Sequence, residues 1–142
     1  MPSPVVDFIL DHLAVGSAND AWQHSLRVDA MLCVAEEVDL PPGVAIAHKV
    51  PIRDMQPIPA AQLAEAIAWL DGHVATRRIL VFCHAGVGRS TSTVVAYLCC
   101  RRGLGFGEAV EFVARRRPYM SILPDLLTTI EQVQQGSGGG AS

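Results

Sequence analysis

The sequence lacks the Cys/His spacings of a closed metal site. It has four cysteines, Cys33, Cys83, Cys99 and Cys100, and none of them forms a CxxC or CxxxC…H pattern, so no structural zinc is expected. Cys99 and Cys100 are adjacent on a predicted helix and point to different faces. That usage suits a reduced, cytoplasmic chain rather than a disulfide framework. An excess of positive charge is also missing: 11 Lys and Arg stand against 14 Asp and Glu, for a net charge of -3, which gives no reason to expect a nucleic-acid partner. The longest apolar run, Thr93 to Cys100, is too short to span a bilayer. Met1 to Leu10 has no basic lead and carries Asp7 inside its short apolar run, so it does not read as a signal peptide, and no membrane partner is expected.

What is present suits one folded domain. The chain has 142 residues, of which 50% are hydrophobic and 18% charged. That is enough for a proper core and fits an α/β domain over 1–135. The Gly/Ser-rich end, 136–142, reads as a disordered tail. Val5 to Val15 reads as one or two short strands ending at Gly16. Ser17-Ala18-Asn19-Asp20 fits a capping box that opens a short helix carrying Trp22. Val28 to Val34 reads as a buried strand, followed by Glu36, Glu37 and Asp39 as a solvated acidic turn, and Val44 to Val50 as another strand. Pro51, Pro57 and Pro59 forbid regular structure between them.

A helix is predicted from Pro59 to Ala75, with Leu63, Ile67, Leu70 and Val74 as its apolar stripe and Trp69 packed beside it. Arg77 and Arg78 precede a strand, Ile79 to Phe82. Thr91 to Arg102 is a helix apolar on nearly all sides, hence central, and Gly103 and Gly105 stop it. Phe106 to Arg117 is a further helix, with Phe106, Val110 and Val113 on one face. Its end, Arg115-Arg116-Arg117, reads as a solvated cap that suits the helix dipole. Pro124 to Gln135 is the last helix, with Leu127, Ile130 and Val133 apolar.

The stretch Val81-Phe82-Cys83-His84-Ala85-Gly86-Val87-Gly88-Arg89-Ser90 organises the rest. Strand, tight loop and helix in that order make an anion cradle. Loop N–H groups can turn inward, the helix N-terminus adds partial positive charge, and glycine permits the dihedrals required. A cysteine in such a cradle favours the thiolate and is a candidate nucleophile. Arg89 has the planar fork for bidentate contact with phosphate oxygens. Ser90 can donate a hydrogen bond to the cysteine sulfur and ease its departure from a covalent intermediate.

Cys83, five residues, then Arg89-Ser90 resembles the signature loop of the cysteine-dependent protein tyrosine phosphatase superfamily. With Ala85, Gly86 and Gly88 inside it, the loop is most similar to that of the small dual-specificity phosphatases. The resemblance covers nearly all of 5–135. It implies a phosphotyrosine-phosphatase-like α/β fold, with a central, mostly parallel sheet flanked by helices on both faces. It implies that Cys83 is the nucleophile, that 84–89 (His84, Ala85, Gly86, Val87, Gly88 and Arg89) bind the phosphate, and that Ser90 assists. Pro51-Ile52-Arg53-Asp54 matches the family's Pro-x-x-Asp loop after a strand, which makes Asp54 the general acid. Asp71, late in the intervening helix, is the poorer candidate. One position departs from the family: Phe82 stands where a histidine usually hydrogen-bonds the loop and helps keep the thiol acidic.

The reaction so implied is phosphate monoester hydrolysis through a phosphocysteine, with no metal or other cofactor. The partner is a phosphorylated protein, carrying phosphotyrosine or, in a shallow pocket, phosphoserine or phosphothreonine. A non-protein phosphate (a phosphoinositide or an RNA 5′-end), a low-turnover phosphate-binding module and a rhodanese-like sulfurtransferase remain alternatives. Cys33 is either core or a redox partner for Cys83. Oligomeric state is not legible.

Overall fold

A computed structural model describes residues 6–23 and 28–139. Its five-stranded sheet is centred on β5 (Ile79–Cys83), whose five residues are all buried. A strand covered on both faces needs a continuous apolar run, and Ile79 to Phe82 supplies one. Parallel partners flank it, β2 (Leu13–Ser17) on one side and β3 (Ala30–Cys33) on the other. Outside these lie β1 (Asp7–Leu10), antiparallel to β2, and β4 (Ile46–Lys49), parallel to β3, giving the order β1-β2-β5-β3-β4.

Helices flank this mixed sheet. A short α1 (Ala18–Trp22) packs on β2 and β5. Its N-cap Ser17 accepts from the Asp20 N–H at 3.2 Å, while the Asp20 carboxylate accepts from the Ser17 N–H at 3.1 Å, so two helix-end donors are satisfied reciprocally as the capping box requires. The remaining helices are α2 (Ala60–His73), α3 (Arg89–Arg101), α4 (Phe106–Arg116) and α5 (Leu126–Gly139). Every residue of α3 from Arg89 to Cys99 is buried, and α2, α4 and α5 all pack against it. A helix apolar nearly all round has no solvent side to offer and becomes the core of the helical layer. Buried hydroxyls on it are bonded: Thr93 Oγ1 donates to the Arg89 carbonyl at 2.8 Å and Ser92 Oγ accepts the Leu123 N–H at 2.9 Å.

Four details correct the sequence reading. β2 does not stop at a turn at Gly16; it runs on to Ser17, because Gly16 and Ser17 pair with Phe82 and Cys83. The turn is at Asp11-His12, between β1 and β2; Val5 lies outside the described residues. In α5 the buried stripe is Leu126, Ile130 and Val133, and Leu127 is 43% exposed. Leu126 is four residues before Ile130, which places it one turn along the same face. Finally, α5 continues to Gly139, through part of the stretch read as a tail. Each further residue of an anchored helix adds a backbone hydrogen bond without a new nucleation cost. Residues 140–142 lie outside the described residues.

Candidate active site

Two-sided pairing fixes the end of β5, and α3 begins six residues beyond its last residue. Between them, most carbonyls of the loop are held from outside. The His84 carbonyl accepts from Ala18 N–H at 3.1 Å. The Gly86 carbonyl accepts from Arg117 Nε at 2.6 Å. The Val87 carbonyl accepts from Ser121 N–H at 2.8 Å and from Thr91 Oγ1 at 2.6 Å. A peptide is planar and trans, so a carbonyl held outward turns the following N–H inward. The N–H groups of Ala85, Val87 and Gly88 therefore converge beside the N-terminus of α3. Gly86 has φ +72°, and a Cβ there would lie 2.6 Å from the Gly16 backbone and 2.7 Å from Arg117 Nη2. Only glycine fits this crossing point.

Cys83 is buried at the floor. The Gly86 N–H donates to its Sγ at 3.2 Å, and Ser90 Oγ lies 3.5 Å from the same sulfur. The two donors available to a sulfur anion are thus in place. Phe82 is fully buried in the core, and its carbonyl accepts from Val34 N–H at 2.9 Å; its ring offers the loop no hydrogen bond.

Arg89 is buried, and its donors can be counted. Nη1 donates to Glu37 Oε1 at 2.7 Å and to the Ile52 carbonyl at 3.1 Å; Nη2 donates to Glu37 Oε2 at 2.5 Å. Of the five N–H donors of a guanidinium, the Nε–H and one Nη2–H remain. Nε is buried with no hydrogen-bond partner among the described residues and lies 3.8 Å from Asp54 Oδ1. The end of the fork is spent on Glu37, and its side is open towards Asp54. The ion pair shows in both partners: the Arg89 hydrogen bond holds the Glu37 carboxyl down at about 2, and Glu37 in turn raises Arg89.

Asp54 lies in the irregular stretch 50–59 and lines one cavity of about 380 Å³ together with Cys83, Ala85, Val87, Gly88 and Arg89. Its Oδ1 accepts from Met55 N–H at 2.9 Å, which supports the left-handed φ of +60° at Met55. Met55 is 81% exposed and Ile122 37% exposed on the same cavity's wall. The structure thus brings Cys83, Arg89, Ser90 and Asp54 to one place. The His84 side chain is exposed and does not line the cavity.

Other candidates fall elsewhere. Asp71 pairs with Arg101 at 3.2 Å. Cys33 is buried, its thiol donates to the Val38 carbonyl at 3.3 Å, and burial raises its pKa. Among the described residues no group of three or more His, Cys, Asp or Glu is placed to hold a metal, and no helix is long and apolar enough to cross a membrane.

Two residues at the site were read from sequence as solvated. Glu37 was assigned to an acidic turn, yet it grips Arg89. Its one signal is position: it follows a strand parallel to β5, and ligands of open α/β sheets sit at the carboxyl ends of such strands. Arg117 was placed in a solvated helix end, yet it is 1% exposed, while its neighbours Arg115 and Arg116 are exposed.

Comparison with known proteins decides the family. The family model "Dual specificity phosphatase, catalytic domain" matches residues 14–135. The chain belongs to the dual specificity phosphatase family. It is 37% identical over 79 residues to protein-tyrosine-phosphatase IBR5 of Arabidopsis thaliana, covering 55% of this chain and 31% of that protein. It is 32% identical over 139 residues to dual specificity protein phosphatase 4 of Homo sapiens, covering 88% of this chain and 34% of that protein. The chain therefore spans about a third of these curated relatives. The crystal structure of human DUSP28 superposes with a TM-score of 0.79 at 25% identity, covering 97% of each chain. A mouse dual specificity phosphatase crystallised with zinc tungstate superposes at 0.82 with 23% identity, covering 99% of this chain and 92% of that one.

Proposed function

We propose that this chain is a metal-independent cysteine phosphatase that hydrolyses phosphate monoesters on proteins, phosphotyrosine foremost. The observation that carries it is the joint placement on one cavity of Cys83 and of Arg89, whose Nε has no hydrogen-bond partner among the described residues.

The proposed reaction has two steps. The Cys83 thiolate attacks phosphorus in line, while the loop N–H groups and the open side of Arg89 hold the equatorial oxygens. The phosphorus–oxygen ester bond breaks, and Asp54 gives its proton to the leaving oxygen. Water then attacks the phosphocysteine. Asp54, now ionised, takes the water proton, and Ser90 donates to the departing sulfur, which returns Cys83 to the thiolate and releases phosphate. Fixed N–H groups and Arg89 supply the positive field, so the scheme assigns no task to a metal.

Substrate class rests on the rim. Met55 and Ile122 give it apolar walls that suit an aromatic leaving group. Among the described residues Arg89 is the one cation lining the cavity, which favours a single phosphate over a multiply phosphorylated headgroup. The cytoplasm is the proposed compartment, supported by four free cysteines. The test is hydrolysis of p-nitrophenyl phosphate with a chelator present. Turnover in the wild type and none in Cys83→Ser is expected. Turnover that persists in Cys83→Ser would overturn the proposal, and phosphate binding without turnover would point to the binding module instead.

A further inference from the structure

Arg117 stands outside the four residues that the chemistry uses, yet it touches the loop from behind. It is 1% exposed and lies just past the last turn of α4. Nε donates to the Gly86 carbonyl at 2.6 Å, and Nη1 donates to Asp7 Oδ2 at 2.8 Å, from the far edge strand β1. Its guanidinium carbon lies 4.8 Å from the centre of the Tyr119 ring. A buried cation needs such partners to offset its lost hydration.

The Gly86 carbonyl belongs to the same peptide plane as the Val87 N–H. These groups point in opposite directions across the plane. Glycine at 86, with φ +72°, has no Cβ to restrict the turning of that plane. The plane before it is held by the Gly86 N–H, which donates to Cys83 Sγ at 3.2 Å, and the plane after it by Ser121 N–H and Thr91 Oγ1 on the Val87 carbonyl; one plane further back, Ala18 N–H holds the His84 carbonyl. The Gly86 carbonyl itself is held by the Arg117 side chain.

We infer that Arg117 is a positioning residue of the phosphate cradle: it holds the Gly86 carbonyl outward, which aims the Val87 N–H at the phosphate, and Asp7 holds Arg117 in place. The inference rests on the phosphatase reading and adds to it a residue that no part of the chemistry requires to touch substrate. Two acceptors in different directions explain why a guanidinium stands here. An ammonium is a point donor and cannot serve both with one planar fork.

The experiment follows the amide proton shifts of Ala85, Val87 and Gly88 by NMR as orthovanadate is added. It compares the wild type with Arg117→Met, Arg117→Lys and the control Arg116→Met, an exposed neighbour whose guanidinium lies over Phe112. All three amides should respond in the wild type and in the control. In Arg117→Met the Val87 response should be lost while those of Ala85 and Gly88 persist. Vanadate affinity and kcat/KM should fall together by about 10- to 100-fold, somewhat less than deletion of a whole oxyanion donor. Arg117→Lys should fall between the two and remain folded if Arg117→Met does not. A wild-type Val87 response in Arg117→Met, or in Arg117→Lys with wild-type vanadate affinity if the Met variant does not fold, would overturn the inference. So would equal loss at all three amides, which marks general collapse. No response in the wild type would instead overturn the cradle itself.

Discussion

Arg89 and Glu37 meet fork to fork, with Nη1 2.7 Å from Oε1 and Nη2 2.5 Å from Oε2. The pair joins the first residue of α3 to the loop that follows β3. It fixes the guanidinium plane before any substrate arrives, and it leaves the Nε side of the fork for phosphate. Orientation of this kind lowers a barrier because its entropy is lost during folding rather than in the reaction.

Glu37→Gln keeps the size of the side chain and removes its charge. One Arg89 nitrogen then faces an amide N–H₂ or loses its charged acceptor. Activity is expected to fall about tenfold in kcat/KM, equivalent to ~1.4 kcal/mol, with Cys83 still able to be alkylated. Steady-state kinetics on p-nitrophenyl phosphate checks this.

The same pair sets a pH dependence of stability. Glu37 has an ordinary value of 4.5 and is held at about 2 in the folded chain. Above 4.5 both folded and unfolded forms are ionised, and the contribution is full. As the pH falls from 4.5 towards 2, the unfolded chain binds a proton that the folded chain refuses, so the contribution declines and is gone below about 2. The melting-temperature gap between wild type and Glu37→Gln should be widest near neutrality and close on acidification. Thermal melts over that range measure it.

Two glycines with nearly equal φ should respond differently to alanine. Gly86 has φ +72° and meets the Gly16 backbone at 2.6 Å; Gly103 has φ +74° and nothing within 4 Å. Gly103→Ala should cost only the left-handed backbone penalty, about 1–2 kcal/mol, with activity intact. Gly86→Ala adds a clash that backbone cannot relieve cheaply, and should abolish vanadate binding. Calorimetry and vanadate titration of both variants separate the two effects.

Asp54→Asn should lower kcat about 10²- to 10⁴-fold on a phosphotyrosine peptide, whose leaving oxygen needs a proton. The loss should be much smaller in the first step on p-nitrophenyl phosphate, whose leaving group departs without one. Single-turnover kinetics on the two substrates tests the role directly.

Much of this site was legible because its residues are rare in combination. Cys83, Gly86, Gly88, Arg89 and Ser90 sit within one strand-loop-helix unit, and each type has one chemical reason to be there. Asp54 was legible by its proline-bounded loop. Glu37 was not, since two adjacent glutamates after a strand look like any solvated turn, and its partner is 52 residues away. Arg117 was hidden in a run of three arginines at a helix end, where the dipole alone accounts for positive charge. Its contacts at Gly86 and Asp7 are 31 and 110 residues distant. In α5 the choice between Leu126 and Leu127 was a choice of phase, which packing against α2 and α3 settles. Local patterns carry local chemistry; long-range partners appear only when the chain is folded.

The most direct test of the account is to trap the covalent intermediate. Asp54→Asn should let p-nitrophenyl phosphate react with Cys83, because that leaving group needs no acid, and should slow hydrolysis of the product for want of a base. Rapid acid quench followed by peptide mass spectrometry should find one phosphoryl group on the peptide that carries Cys83. Turnover with Cys83 unmodified at every quench time, or a phosphoryl group on another residue, would contradict the account.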